Sequence, residues 1–209
     1  MPIPVYYAVT TQELQSLQHY PEYLALIDFY NGTKDAIVIL TDRRPWHLQQ
    51  VREIVREQPK ILLDFQHPDD PENHKLIAEL ERLRLPYCAT SIYAGKYDCA
   101  VLVPPVPLTS TLADHIAPWK GREIWLELAL DGQRMTVTKD GCTERYVPHA
   151  QQRQACHTDE KLHCHYCIHT TENAAEFTLW RSKEDIAALL TEADSLGIRL
   201  AVGLWQELK

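Results

Sequence analysis

Residues 36–65, AIVILTDRRPWHLQQVREIVREQPKILLDF, decide how this chain folds. Ala36 to Thr41 is a short, unbroken apolar run, the pattern of a strand buried on both faces. Pro45 suits the first turn of a helix, where its missing N–H is not needed. Leu48, Val51, Ile54 and Val55 then recur at helical spacing and predict one apolar stripe. Lys60 to Phe65 returns to a buried strand. Strand, helix and strand in succession predict a parallel pair joined by a crossover helix.

The same alternation runs outward in both directions. Ile3 to Val9 is a β-branched and aromatic run. Asp70-Pro71 supplies a cap and a first-turn proline, and Leu76, Ile77, Leu80 and Leu83 form the stripe of the helix that follows. Tyr87 to Ile92 and Asp98 to Val103 read as further strands, and prolines 104, 105 and 107 make the next link stiff. Ser182 to Leu196 is the clearest helix. Ser182 and Asp185 form a capping-box pattern, Ile186, Leu189, Leu190 and Ala193 face inward, and Gly197 ends it. Ile198 to Leu204 is a last buried strand. These elements predict an α/β fold with a mostly parallel sheet. About eight strand-like runs point to a TIM-barrel-like closure, a short or degenerate βα barrel. The alternative is an open doubly wound sheet, which the modest length and the absence of a final long helix would suit.

Between these halves the texture changes. Ile124 to Leu130 leads into the turn pairs Asp131-Gly132 and Asp140-Gly141, and residues 134–138 alternate between them, as in a β-meander. Residues 148–161 are polar and read as a loop. Residues 161–170 and 176–181 form a second candidate hairpin. The expected organisation is one domain over 1–209 with a hairpin-rich insertion over 129–181.

Hydrophobic residues make up 45% of the chain and charged ones 24%, enough for a substantial core. The net charge of -8 repels phosphate backbones, and no basic patch offsets it, so neither nucleic acid nor an anionic membrane is an expected partner. No stretch approaches the roughly 18 apolar residues of a membrane helix. The start, MPIPVYYAV, lacks the basic and apolar regions of a secretion signal, which makes the cytoplasm the default compartment and reduced thiols the default state. Cys88 and Cys99 lie in apolar runs and read as core residues. With seven glycines and no glycine-rich phosphate loop or GxSxG elbow, nucleotide-driven and serine-hydrolase chemistry are disfavoured. No feature sets an oligomeric state.

Parallel α/β folds build their sites at the carboxyl ends of the strands. There this chain carries Asp42, Asp64, Gln66, Tyr93, Glu127, Trp205, Gln206 and Glu207. If the sheet closes, Asp64, Glu127 and Glu207 converge on one pocket. Paired carboxylates are the equipment of glycoside hydrolysis, one protonating the leaving oxygen and the other attacking or activating water. Tyr93 and Trp205 would stack on a sugar face, with Gln66 and Gln206 beside them. The expected ligand is then a carbohydrate or another small molecule. Asp42 equally suits a helix cap, and Asp64 a loop-holding role.

A second constellation is CHTDEKLHCHYCIH, residues 156–169. Strand alternation puts Leu162, Cys164, Tyr166 and Ile168 on one face and His163, His165, Cys167 and His169 on the other. His163, His165 and Cys167, with Cys156 brought in by the loop, could ligate zinc tetrahedrally. The competing expectation is a solvated strand face, because the spacing matches no zinc knuckle. A non-catalytic binding or scaffold domain is the third class.

Overall fold

The computed structural model of the chain describes residues 3–130, 132–147 and 157–209. Seven strands precede the insertion: β1 (Val5–Val9), β2 (Leu24–Ile27), β3 (Ile37–Thr41), β4 (Lys60–Asp64), β5 (Cys88–Thr90), β6 (Ala100–Val103) and β7 (Ile124–Leu128). The insertion contributes β8 (Gly132–Thr138), β9 (Gly141–Tyr146), β10 (His157–Asp159), β11 (Cys164–Thr170) and β12 (Ala174–Trp180), and β13 (Leu200–Leu204) follows it. The first seven strands and β13 close into a parallel barrel in the order β1-β13-β7-β6-β5-β4-β3-β2. The fold is therefore TIM-barrel-like, and an open sheet is excluded. The remaining five strands form a separate antiparallel sheet in the order β10-β11-β12-β8-β9.

Period-two alternation sorts the strand residues into two cores. Ile37 and Ile39 of β3, Leu62 of β4, Leu102 of β6, Trp125 of β7 and Val202 of β13 fill the barrel interior. Val38, Leu40, Ile61 and Leu63 point outward, under Val51 and Val55 of α2 (Leu48–Val55) and Leu76, Ile77 and Leu80 of α3 (Pro71–Arg82). Each of these side chains contributes about 1.5–3 kcal/mol by leaving water. Asp70 caps α3 by accepting from the Glu72 N–H at 2.9 Å, ahead of Pro71, as its sequence predicts. On the far side α6 (Lys183–Ser195) buries Ile186, Leu189, Leu190 and Ala193 against Val101, Leu126 and Ala201, and its Ser182–Asp185 capping box is formed.

A chain this short reaches eight barrel strands because its connections are cut down. No helix lies between β2 and β3; α1 spans only Thr11–Ser16, α4 Ser91–Ala94, α5 Leu112–Ile116 and α7 Trp205–Leu208. Three sequence expectations change. Leu24–Ile27 is a barrel strand that the sequence reading passes over. Ile124–Leu128 is no part of a meander; it pairs in parallel with β6 and β13. Of the loop expected over 148–161, residues 148–156 lie outside the described residues, and His157–Asp159 is a strand paired with β11. Among the described residues no helix is long and apolar enough to cross a membrane.

Two clamps hold this architecture. Glu79 on α3 is almost fully buried and accepts from Arg52 Nε of α2 at 2.8 Å and from Arg82 Nε and Nη2, both at 2.8 Å. The hydrogen bonds from Arg82 and Arg52 hold its carboxyl at about 2. A carboxyl depressed in the folded state stabilises fully above its ordinary value and loses that contribution as pH falls through the depressed one. We expect resistance to urea to decline as pH drops from about 4.5 towards 2. Urea midpoints at neutral and acid pH should show a shallower decline in Glu79→Gln; an identical acid slope would remove Glu79 as its source.

Arg181, between β12 and α6, is the second clamp and is 4% exposed. Its Nε donates to the His163 carbonyl at 3.1 Å and its Nη2 to those of Leu162 at 3.2 Å and Pro107 at 3.3 Å, while Nη1 donates to that of Val106. One guanidinium thus ties the proline-stiffened link after β6 to the turn before β11. It fixes the antiparallel sheet on the barrel.

Candidate active site at the barrel mouth

Inward alternation along β4 runs Lys60, Leu62, Asp64, so the strand ends with a carboxylate on the barrel axis side. On β7 it runs Trp125, Glu127. The register sets Thr41 beside Asp64 and Val202 beside Glu127. After β13 the short α7 turns back across the barrel end and brings in Gln206 and Glu207. Gly203 permits that turn: a Cβ there would lie 3.0 Å from the Leu128 carbonyl oxygen and collide with the Leu208 side chain. Asp64, Glu127, Gln206 and Glu207 all line one cavity of about 480 Å³ at the C-terminal mouth. That volume falls within the range of about 300–1,000 Å³ typical of small-molecule sites.

Electrostatics divide the acids. Burial pushes the Asp64 carboxyl above its ordinary range; the Gln66 amide opposes this, and the Asp42 charge adds to it. Gln66 Nε2 donates to Asp64 Oδ1 at 2.6 Å. Glu13 of α1 behaves in the opposite way. Burial would raise its carboxyl, but the Thr10 backbone and hydroxyl and the Gln206 amide outweigh burial and lower it. The mouth therefore holds an acid that keeps its proton unusually long beside one that loses it early.

Thr10, Glu13, Thr41 and Arg43 share the lining and are absent from the sequence expectation. Thr10 and Glu13 are visible in sequence only as a capping box, which they do form, with the Glu13 N–H donating to Thr10 Oγ1 at 3.3 Å and Glu13 Oε2 accepting from the Thr10 N–H at 2.7 Å. Thr41 is held by Asp28, whose carboxylate accepts from the Thr41 N–H at 2.8 Å and hydroxyl at 2.7 Å. Asp42 is a loop anchor: Oδ2 accepts from the Gln66 N–H at 2.7 Å and the His67 N–H at 3.0 Å and lies 2.7 Å from His67 Nδ1.

The two expected aromatic platforms are elsewhere. Tyr93 is completely buried; its hydroxyl donates to the His67 carbonyl and accepts from Asn73 Nδ2 at 3.2 Å, so no ring face is open to a sugar. Trp205 packs edge-on against Tyr7, an outward residue of β1, with centroids 5.3 Å apart, and lies outside the mouth lining. Gln66 is exposed at the rim and reaches the cavity only through Asp64.

The described residues of the histidine and cysteine segment are engaged with separate partners. His163 Nε2 pairs with Glu192 at 2.7 Å and His165 Nε2 with Asp185 at 3.2 Å, two different carboxylates of α6. The His165 ring also lies over Trp180, centroids 5.9 Å apart, and its Nδ1 is 3.0 Å from Thr158 Oγ1. Cys167 is disulfide-bonded and offers no thiolate, although reduced thiols were the expectation. Cys156 lies outside the described residues. Among the described residues no three His, Cys, Asp or Glu side chains are grouped to hold a metal ion. Two members of the row are not solvated: His163 and His165 are half-buried and join the antiparallel sheet to α6, whereas His169 is exposed. Cys164, on the other face, packs with Leu108 and Leu179, and burial pushes its thiol up to about 11.

No protein-family model matches the chain, and no curated protein matches it. Solved structures do. The spore cortex-lytic enzyme SleL of Bacillus megaterium has a TM-score of 0.53 at 12% identity over 97% of this chain and 70% of that one. A mutant GH18 chitinase from Cycas revoluta in complex with (GlcNAc)4 has a TM-score of 0.52 at 10% identity, covering 97% of this chain and 94% of that one. A glycoside hydrolase family 18 N-acetylglucosaminidase from Paenibacillus barengoltzii has a TM-score of 0.50 at 10% identity, again covering 97% and 94%. At these identities the likeness is one of fold.

Proposed function

We propose that the barrel mouth is a glycan site and that the protein hydrolyses glycosidic bonds in N-acetylglucosamine-containing chains. The observation that carries this reading is the convergence of Asp64, Glu127 and Glu207 on one cavity. The activities of the similar barrels, a chitinase and an N-acetylglucosaminidase, support the choice of sugar. Asp64, whose carboxyl burial pushes above its ordinary range, gives its proton to the leaving glycosidic oxygen. Glu207 takes a proton from the attacking water, whose oxygen bonds to the anomeric carbon as the glycosidic bond breaks. Glu127 lies on the same wall, where its charge would stabilise the positive charge that develops on the sugar ring.

One observation favours a second reading, glycan binding without cleavage. The Gln66 amide donates to Asp64 and so favours the ionised carboxylate, against the acid role. Calorimetric titration with the N-acetylglucosamine tetramer, with chromatography of the same mixtures, separates the two. Binding with shortening of the tetramer, and loss of shortening in Glu127→Gln, is the expected result. Binding without shortening would establish the second reading, and the absence of both would remove glycans from the mouth.

A further inference from the structure

The opposite end of the barrel holds a cavity of about 780 Å³, larger than the one at the mouth. Its lining is unlike the rest of this acidic chain. Lys60, Arg122 and Arg199 face it, against Asp98 and Glu123. Lys60 begins the inward series of β4 and is exposed at this end of the barrel. Its ammonium donates to the Tyr6 hydroxyl at 2.9 Å and lies 5.2 Å from the centroid of that ring. Neither Lys60 nor Arg199 has a carboxylate partner among the described residues. Arg122 donates to the carbonyls of Ala94, Tyr97 and Cys99, so its geometry is fixed while its charge remains. The Glu123 carboxylate is engaged by Trp125 Nε1 at 2.9 Å.

We propose that this N-terminal mouth is a second binding site, for a small organic anion that carries a flat ring. Arg199 offers a guanidinium fork suited to phosphate or carboxylate, and Lys60 a point charge with N–H groups left over from its bond to Tyr6. Tyr6, Tyr87 and Trp125 are the aromatic members of the lining, each largely buried. The proposal is independent of the glycan reading, since the two cavities share no lining residue.

Phenyl phosphate is the probe, titrated into the full chain with intrinsic fluorescence and thermal unfolding as readouts. Saturable binding is expected, weakened about tenfold or more in Lys60→Met and in Arg199→Met. Arg199 is exposed, so its variant tests the site even if Lys60→Met folds poorly. Lys60→Arg should restore binding. Phenyl β-glucoside, a ring without charge, should not compete, and inorganic phosphate should bind more weakly. No saturable binding, equal affinity for inorganic phosphate, or affinity unchanged in both methionine variants would overturn the proposal.

Discussion

Asp64→Asn should lower turnover of N-acetylglucosamine oligomers by roughly 10²–10⁴-fold, the usual worth of a positioned general acid. The substitution keeps the shape of the side chain and its neighbour Gln66 but removes the transferable proton. Burial keeps the wild-type carboxyl protonated above its ordinary range, so the alkaline limb of the rate profile should follow Asp64. Deleting the Gln66 donation in Gln66→Leu removes a hydrogen bond that favours the charged form and should move that limb to higher pH. Oligomer affinity should change little in Asp64→Asn, because kcat and not binding carries the effect. A variant with full turnover would take Asp64 out of the chemistry, and an unmoved alkaline limb in Gln66→Leu would assign that limb to another group.

Arg181→Met should be the most destabilising single change in the sheet–barrel junction. Methionine fills much of the space but leaves the carbonyls of Val106, Pro107, Leu162 and His163 without this donor. A buried acceptor stripped of its partner costs about 1–3 kcal/mol, and several lose one together, so a total of about 3 kcal/mol is a conservative expectation. For a chain of this size that lowers Tm by about 6–12 °C. Because Arg181 bridges the sheet and the link after β6, hydrogen exchange should quicken first in β11 and residues 104–108. An unchanged Tm would mean that the antiparallel sheet is held by its apolar contacts and the histidine pairs alone.

Local periodicity made much of the barrel legible. β3, α2 and β4 carry two incompatible repeats in succession, and each is present, although α2 begins at Leu48 behind the His47 cap and leaves Pro45 outside its first turn. β2 was missed because LALI is four residues long and no helix separates it from β3. β7 was misread because turn pairs follow it, and a strand's sequence does not say whether its partners run parallel. At the barrel mouth, the strand-end rule led to Asp64 and Glu127 as lining residues because alternation fixes which face a residue takes. It missed Thr10 and Glu13, which in sequence are simply a helix cap. It failed for Tyr93 and Trp205, since direction at a strand-to-helix junction depends on the following backbone. The histidine row shows the same limit: alternation says which residues share a face, but the Asp185 and Glu192 that cover it come from a distant helix. Arg181 was invisible, as a buried arginine has no compositional mark.

The ring closes through β1 and β13, with Val5 beside Ala201. The barrel strand made first therefore waits for the barrel strand made last. Until then one side of β1 and one side of β7 are unpaired strand edges, able to pair with a neighbouring chain. Such distant pairing is slow, because loop-closure entropy is lost before any contact returns it. The interval before closure, rather than the stability of the finished ring, is thus the period in which this protein most needs protection from aggregation.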